Sequence, residues 1–276
     1  MDTMHTDLNA DALLDVFDDL PFWAAPFGLD LLDFVAIRKG LQVLDIGFGA
    51  GFPLVELAQR IGTTGTLVGL DPWQAGHRRT QRKLAFYEIG NVNLVEAVAE
   101  AMPFRDSAFD TIVSNNGLNN VQDLPRALAE CSRVLRSGGQ LVLTQNTESS
   151  FLELYEIFRR VCRQQNWLDA LPKIEQHIRS KRLPLHDLLP QIQLAGFVLR
   201  KRKHNSFCYR FADADALWSH WFVRLAFLDS WFTFVAEDQL ASFRAQVSVE
   251  IDTLCERNGF FELTVPFITL DCVLAK

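Results

Sequence analysis

Val43-Leu44-Asp45-Ile46-Gly47-Phe48-Gly49-Ala50-Gly51 is the stretch whose reading decides the fold. A short apolar run, residues 41–46, is closed by three glycines and followed at 54–61 by apolar residues at helical spacing. That pattern predicts a buried strand turning sharply into a helix. Glycine has no Cβ, so the backbone can bend tightly there and a ligand can press against it. The spacing is not that of a dinucleotide fingerprint, G-x-G-x-x-G. The third glycine falls one residue early, at Gly51, and Phe52 holds the expected place. Asp45, two residues before Gly47, offers nothing to a pyrophosphate, whereas a ligand carrying a cationic sulfonium and an ammonium group suits it. Asp71 comes 20 residues after Gly51, at the end of the next apolar run. A carboxylate at that place accepts hydrogen bonds from both hydroxyls of a ribose. The competing reading is a tight strand–helix turn that holds no ligand.

Outward from this turn the chain alternates strands and helices. Strands are predicted at 41–46, 66–70, 93–97, 111–114 and 140–144, with helices at 54–61, 75–89 and 124–135. Near-continuous apolar strands imply a parallel sheet covered on both faces, and right-handed crossovers make it doubly wound. Ligands of such sheets bind beyond the carboxyl ends of the strands. Upstream, residues 11–17 and 29–37 have helical spacing, separated by Leu20-Pro21-Phe22-Trp23-Ala24-Ala25-Pro26-Phe27-Gly28, which reads as an aromatic turn. Downstream, 150–166 and 185–194 read as helices, 197–211 as a sixth strand and 266–274 as a seventh. The long aromatic helical stretch 214–258 lies between those two strands as an inserted cap. The prediction is an α/β, doubly wound, mostly parallel seven-stranded sheet with N-terminal helices and a helical aromatic cap before the last strand. We read 1–276 as one domain: an N-terminal helical segment (1–40), a cofactor-binding core (41–146) and a C-terminal part with the cap (147–276).

Thirty-four acidic residues against 27 basic ones give a formal charge of −7, which argues against a protein built to hold nucleic acid. The first residues lack the cationic and apolar regions of a secretory signal, and no apolar run reaches the roughly 18–20 residues of a membrane span. Five scattered cysteines, none in a C-x-x-C pair, point to neither a disulfide frame nor a zinc site. Cytoplasmic localisation is expected.

The sequence resembles the class I S-adenosylmethionine-dependent methyltransferases over nearly its whole length. The residues that carry the resemblance are Val43-Leu44-Asp45-x-Gly47-x-Gly49-x-Gly51, Asp71, Ala99-Glu100-Ala101-Met102-Pro103-Phe104, Phe109-Asp110, and Glu130-x-x-Arg133-Val134-Leu135-x-x-Gly138-Gly139. Residues 20–28, Gly69-Leu70-Asp71-Pro72-Trp73 and Ser114-Asn115-Asn116-Gly117-Leu118-Asn119-Asn120-Val121 are similar to a generic bacterial subgroup without an assigned substrate. The resemblance implies that Gly47, Phe48, Gly49 and Gly51 form the loop against the methionyl and ribose portions of S-adenosylmethionine. It implies that Asp45 supports that turn and the cofactor ammonium, and that Asp71 holds the ribose. Pro72 and Trp73 would pack on adenine, Ala99 and Glu100 would contact its edge, and Asn115 would sit near the methionyl amino group. Val98 stands where many relatives have an aspartate for the adenine amino group, leaving that contact to backbone groups or to Glu100.

Methyl transfer requires an in-line nucleophile, and positioning with exclusion of water supplies much of the rate. A general base is needed only where the nucleophile carries a proton. No metal is implied, since the six histidines are dispersed and no cluster shows ligand spacing. Substrate-facing candidates are Phe22, Trp23 and Phe27 of the entry segment, Asn116 and Asn119 of the asparagine-rich loop, and Tyr209. The asparagine loop also reads as simple turn chemistry. Trp218, Trp221, Phe222 and Leu225 share one face of the predicted cap helix, and such stripes usually mean packing. Tyr209 and His220 are the candidate bases. Lys181-Arg182 and Arg200-Lys201-Arg202-Lys203 are basic, the latter alternating along a strand as a solvated edge does. The expected activity is transfer of a methyl group from S-adenosylmethionine, leaving S-adenosylhomocysteine, to a small, partly apolar metabolite. The rival readings are a macromolecular acceptor (tRNA or a protein side chain) and a non-catalytic cofactor-binding module.

Overall fold

β1 (Gln42–Ile46) is buried along most of its length, with Val43 and Leu44 on opposite faces and both inaccessible to solvent. A strand can be apolar on both sides only where both faces of its sheet are covered. The computed structural model, which describes residues 23–275, places this strand near the middle of a seven-stranded sheet. The chain enters by α1 (Ala24–Phe34), then β1, α2 (Leu54–Ile61), β2 (Thr66–Leu70), α3 (Gln74–Phe86), β3 (Val92–Val95) and β4 (Phe109–Asn115). It continues through α4 (Leu124–Val134), β5 (Leu135–Asn146), α5 (Leu152–Gln164), α6 (Ala170–Lys181), α7 (Leu185–Leu194) and β6 (Phe197–Phe211). The helices α8 (Ala214–Ser219), α9 (Trp221–Ala226), α10 (Leu228–Trp231) and α11 (Glu237–Asn258) precede β7 (Phe261–Leu274).

The strand order is β3-β2-β1-β4-β5-β7-β6, and β3-β2, β2-β1, β1-β4 and β4-β5 all pair in parallel. The sheet is therefore the doubly wound one expected. The chain divides into two compact units: residues up to 145 with 185–205 and 267 onward, and residues 146–184 with 206–266.

In the first unit, Leu31, Leu32, Val43, Leu54, Leu57, Leu67, Val113 and Val142 belong to one buried cluster, so α1, α2 and the central strands share a core. A polar knot crosses this unit. Gln140 on β5 donates from Nε2 to the Phe34 carbonyl (2.8 Å) and to Asp271 (2.9 Å), and its Oε1 accepts the Ala36 amide (3.0 Å). One side chain thus ties the exit of α1 to β5 and β7. In the second unit, Phe158, Phe232, Phe234 and Phe243 pack ring against ring.

Several expectations are corrected, and one falls outside the described residues. Ala24–Gly28 form the first turns of α1 and not an aromatic turn, because Pro26 sits early in a helix, where its missing N–H costs nothing. The predicted helix at 11–17, and Phe22 with it, lie outside the described residues. The stretch 214–258 is four helices in place of one. His220 adopts an extended ψ of 119° between α8 and α9, so Trp218 and Trp221 do not share a helical face. β5 and β7 also begin five residues before their predicted starts, and α6 was not foreseen.

Replacing Gln140 by Leu removes three buried or partly buried hydrogen bonds and takes this partner from the Phe34 carbonyl and the Ala36 amide, while Asp271 keeps Arg200. Urea unfolding of Gln140→Leu is expected to show a loss of about 2–4 kcal/mol, with the sheet intact by circular dichroism.

Candidate functional site

β1 and β4 are neighbours, yet β1 is followed by a connection to β2 on one side and β4 by one to β5 on the other. Loops that leave in opposite directions open a crevice at this switch point. In the first unit a cavity of about 660 Å³ occupies it. Its wall combines the ends of four parallel strands: Gly47 and Gly49 after β1, Asp71, Pro72 and Trp73 after β2, Ala99 and Glu100 after β3, and Asn115, Asn116 and Gly117 after β4, with Trp23 from the entry to α1.

The two loops touch through backbone. A Cβ on Gly47 would come within 2.6 Å of the Gly117 Cα, and Gly47 has φ 77°, so only glycine fits. Gly49 (φ 54°) faces open space, with nothing within 4 Å of where a Cβ would be. Its amide donates to Asp71 Oδ2 (2.8 Å), while the Trp73 amide donates to Oδ1 (2.8 Å). The Asp71 carboxylate is thereby fixed by the chain on both sides of it. Each oxygen still has a second lone pair, the capacity required to accept two vicinal hydroxyls.

Asp45 is wholly buried and does not line the cavity; neither of its oxygens has a hydrogen-bond partner. Burial, and next the charge of Asp71, push its carboxyl up to about 8. A wholly buried, orphaned acid of this kind is costly to ionise. A positive charge bound in front of Gly47 would favour the carboxylate. Volume, the open space over Gly49, the lone pairs of Asp71 and the orphaned acid together fit a cationic nucleoside.

The remaining candidates are placed as follows. Asn115 lines the cavity, but its side chain also donates to the Ala24 carbonyl (3.2 Å) and accepts from Thr144 Oγ1 (2.9 Å), joining β4 to α1 and β5. Glu100 Oε1 accepts the amides of Gln122 (2.7 Å) and Asp123 (3.2 Å), so it shapes the rim as well as facing the cavity. Val98 is on the wall and half exposed.

Four candidates stand behind the wall. Phe48 belongs to the core, its ring 4.8 Å from that of His77. Gly51 faces Thr80 and Val55. Phe27 is fully buried and its ring packs on Phe267 at 4.7 Å, so it cannot face a substrate from there. Asn119 donates to Asn116 Oδ1 (2.8 Å), which is turn chemistry.

Tyr209 and His220 are in the second unit, their rings 5.9 Å apart. The Tyr209 hydroxyl and His220 Nδ1 are buried without a partner. Burial raises the Tyr209 phenol and lowers the His220 imidazole. Burial thus favours the neutral form of both side chains. Gly117 and Asn120, of the asparagine-rich loop that the sequence singles out as substrate-facing, also line the cavity, as do Val121, Gln122, Asp123 and Arg126, to which sequence reasoning assigned no site role. The rim at 121–126 had no sequence signal, since it is set by the Glu100 cap. Among the described residues no group of three or more His, Cys, Asp or Glu side chains is placed to hold a metal ion.

Residues 44–143 match the methyltransferase domain family. The chain is 33% identical over 172 residues to the ubiquinone/menaquinone biosynthesis C-methyltransferase of Erwinia tasmaniensis, covering 56% of this chain and 67% of that protein. It is also 33% identical over 127 residues to the demethylmenaquinone methyltransferase of Staphylococcus aureus, covering 45% and 52%. The chain therefore spans two thirds of the first relative's length and about half of the second's. Among solved structures, a Bacillus halodurans protein classed as a methyltransferase shares the fold with a TM-score of 0.61 at 16% identity, over 90% of this chain and 99% of that one.

Asp45 gives the ligand-free protein a signature. Its folded pKa lies above the unfolded value, so its contribution to stability is complete below about pH 4 and is lost as pH rises toward 8. The expected slope is at most one proton, about 1.4 kcal/mol per pH unit. Asp45→Asn should flatten the fall in stability between those pH values, as read from urea titrations at several pH values. An unchanged profile would show that Asp45 ionises normally.

Proposed function

The chain belongs to the class I S-adenosylmethionine-dependent methyltransferases, and from that premise we propose that it methylates a small, largely apolar, ring-bearing acceptor. S-adenosylmethionine is its methyl donor and S-adenosylhomocysteine its second product. When bound, the donor supplies an electrophilic methyl group on a sulfonium sulfur. The observation that carries the reading is the crevice: open space over Gly49 and spare lone pairs on Asp71 at the β1–β4 switch point, with an unpaired acid, Asp45, buried behind it.

In this reading Gly47 and Gly49 let the main chain lie against the methionyl and ribose portions. Asp71 accepts the ribose hydroxyls, with the carboxylate held in place by the Gly49 and Trp73 amides. Trp73 and Pro72 offer an apolar face to adenine. Glu100 and the backbone at Val98–Ala99 meet its edge, and Asn115 faces the methionyl amine. These groups orient the donor and exclude water, which is most of what an in-line displacement asks of a protein.

The acceptor class rests on other observations. Relatives of this chain are C-methyltransferases of ubiquinone and menaquinone biosynthesis and a demethylmenaquinone methyltransferase, which makes a hydroquinone ring the first acceptor to test. The basic stretch on β6 that spoke for a nucleic-acid acceptor is largely committed within the first unit. Arg200 pairs with Asp271 (2.8 Å), Lys203 with Asp30 (2.7 Å), and Lys201 lies 4.2 Å over the Phe34 ring. The five cysteines are free thiols, in keeping with a reducing, cytoplasmic compartment. Among the described residues no helix is long and apolar enough to cross a membrane.

Asp71→Ala should weaken S-adenosylhomocysteine by about tenfold or more in isothermal titration, with normal far-ultraviolet circular dichroism. In the wild type, labelled methyl should pass to a short-chain hydroquinone and not to bulk tRNA. Undiminished affinity in a folded Asp71→Ala protein would remove the ribose assignment, and label entering tRNA would remove the small-molecule reading.

A further inference from the structure

Arg182 closes α6 in the second unit and is only 4% exposed. Its Nε and Nη1 are sealed from solvent and make no hydrogen bond. No carboxylate among the described residues stands within 4.0 Å of it in an ion pair. The end of a helix favours a cation, yet the carbonyls of α6 take no hydrogen bond from this guanidinium. What it does touch is aromatic: its Cζ lies 5.2 Å over the ring of Phe151.

The same neighbourhood holds a second orphan. Tyr155 lies one helical turn beyond Phe151 and is fully buried, and its hydroxyl has no partner. Its ring is 6.0 Å from that of His177 on α6. Burial, followed by the charges of Lys181 and Arg182, pushes the His177 imidazole down to about 4, so it is neutral and contributes no counter-charge. Around them the surfaces are apolar: the Phe151 ring meets Phe227 at 5.0 Å and Trp231 at 5.4 Å, and Tyr155 meets Phe158 at 5.8 Å.

A buried guanidinium without an anion is among the more costly arrangements in a protein interior. The three N–H groups of Arg182 Nε and Nη1 and the O–H of Tyr155, buried without acceptors in an aromatic setting, are complementary to one group of negatively charged oxygens. We propose that Arg182 and Tyr155 form a binding site for a single carboxylate or phosphate group carried by an otherwise apolar ligand. Arg182 donates to the anionic oxygens and Tyr155 adds a hydroxyl donor. Phe151, Phe227 and Trp231 take the apolar part, which an aromatic or short aliphatic tail fits. The site lies within the second unit and its assignment does not rest on the identity of the methyl acceptor.

The test uses the whole chain without methyl donor. Isothermal titration compares phenylpropanoate, phenylpropyl phosphate, the uncharged phenylpropanol and inorganic phosphate. The anionic phenylpropyl compounds are expected to bind more tightly than the alcohol by about thirtyfold or more. That advantage should vanish in Arg182→Gln, survive in part in Arg182→Lys and shrink in Tyr155→Phe. Binding of inorganic phosphate alone, with the same dependence on Arg182, would support the site and assign it to a free anion. In parallel, Arg182→Met should raise the melting midpoint of the ligand-free protein, because an unpaired buried charge is exchanged for an apolar side chain of similar length. Alcohol binding as tightly as the anions, binding by none of the four probes, or a lower midpoint for ligand-free Arg182→Met would overturn the proposal. None of these results bears on the Asp71 assignment, which is read by a different ligand at a different unit.

Discussion

Everything at the crevice depends on two loops meeting backbone to backbone. A side chain on Gly117 would fall 2.2 Å from the Ile46 carbonyl, and one on Gly47 would strike Gly117 in return. Ser114 fastens the contact: its hydroxyl donates to the Ile46 carbonyl (3.0 Å) and accepts the Leu118 amide (3.0 Å). The Gly47 amide meanwhile donates to the Leu70 carbonyl (2.8 Å) at the end of β2. The ends of three parallel strands are locked together by groups that cannot be enlarged. The crevice floor is therefore set by the fold itself, before any ligand arrives, and a ligand need not supply the free energy of assembling it.

That rigidity gives the electrostatics their meaning. Two carboxyl groups lie close to one floor, and they are treated differently by it. Asp71 is held by two amides and keeps spare lone pairs; Asp45 has no partner and is pushed toward its neutral form by burial and by Asp71. A diphosphate would add negative charge to this pair, whereas a sulfonium with an ammonium group relieves it. The preference for a positively charged nucleoside is thus built into the floor as well as into glycine spacing.

How much of this was legible in the sequence follows the range of the forces involved. The central strands are apolar runs closed by turn residues, α2 shows its periodicity without interruption and α7 keeps its own despite Pro190, so local pattern located them. Asp45 and Asp71 could be found because they sit at fixed offsets from a glycine turn. Phe48 and Asn119 had equally suggestive positions, but a core neighbour, His77, and a turn partner, Asn116, took them away from the cavity. Those partners are distant or conformational, and one chain of letters does not carry them. The same holds where 214–258 breaks into four helices. Neither Pro nor Gly marks the break at His220, and Trp218 donates to Ser248 on α11 (2.9 Å), a contact across 30 residues. Arg182 read simply as one of two adjacent basic residues; only its burial makes it informative.

Both units leave buried polar atoms unpaired, and the kinds of atom differ. Among the described residues, those of the first unit are the carboxyl oxygens of Asp45 and the hydroxyl of Thr269; those of the second are Nε and Nη1 of Arg182, the hydroxyls of Tyr155 and Tyr209, Nδ1 of His220 and one oxygen of Glu148. Native interiors satisfy nearly all such groups, so an orphan asks for a reason. The first unit's orphaned acid sits behind a loop whose backbone is exposed to a cationic donor. In the second unit the orphans are mostly hydrogen-bond donors set among aromatic rings, a setting that suits an apolar molecule with an oxygen-rich, negatively charged end. Donor recognition by a shared fold and acceptor recognition by a variable one is how a single sheet serves many reactions. The family match ends at residue 143, and the unpaired donors of the second unit lie beyond it.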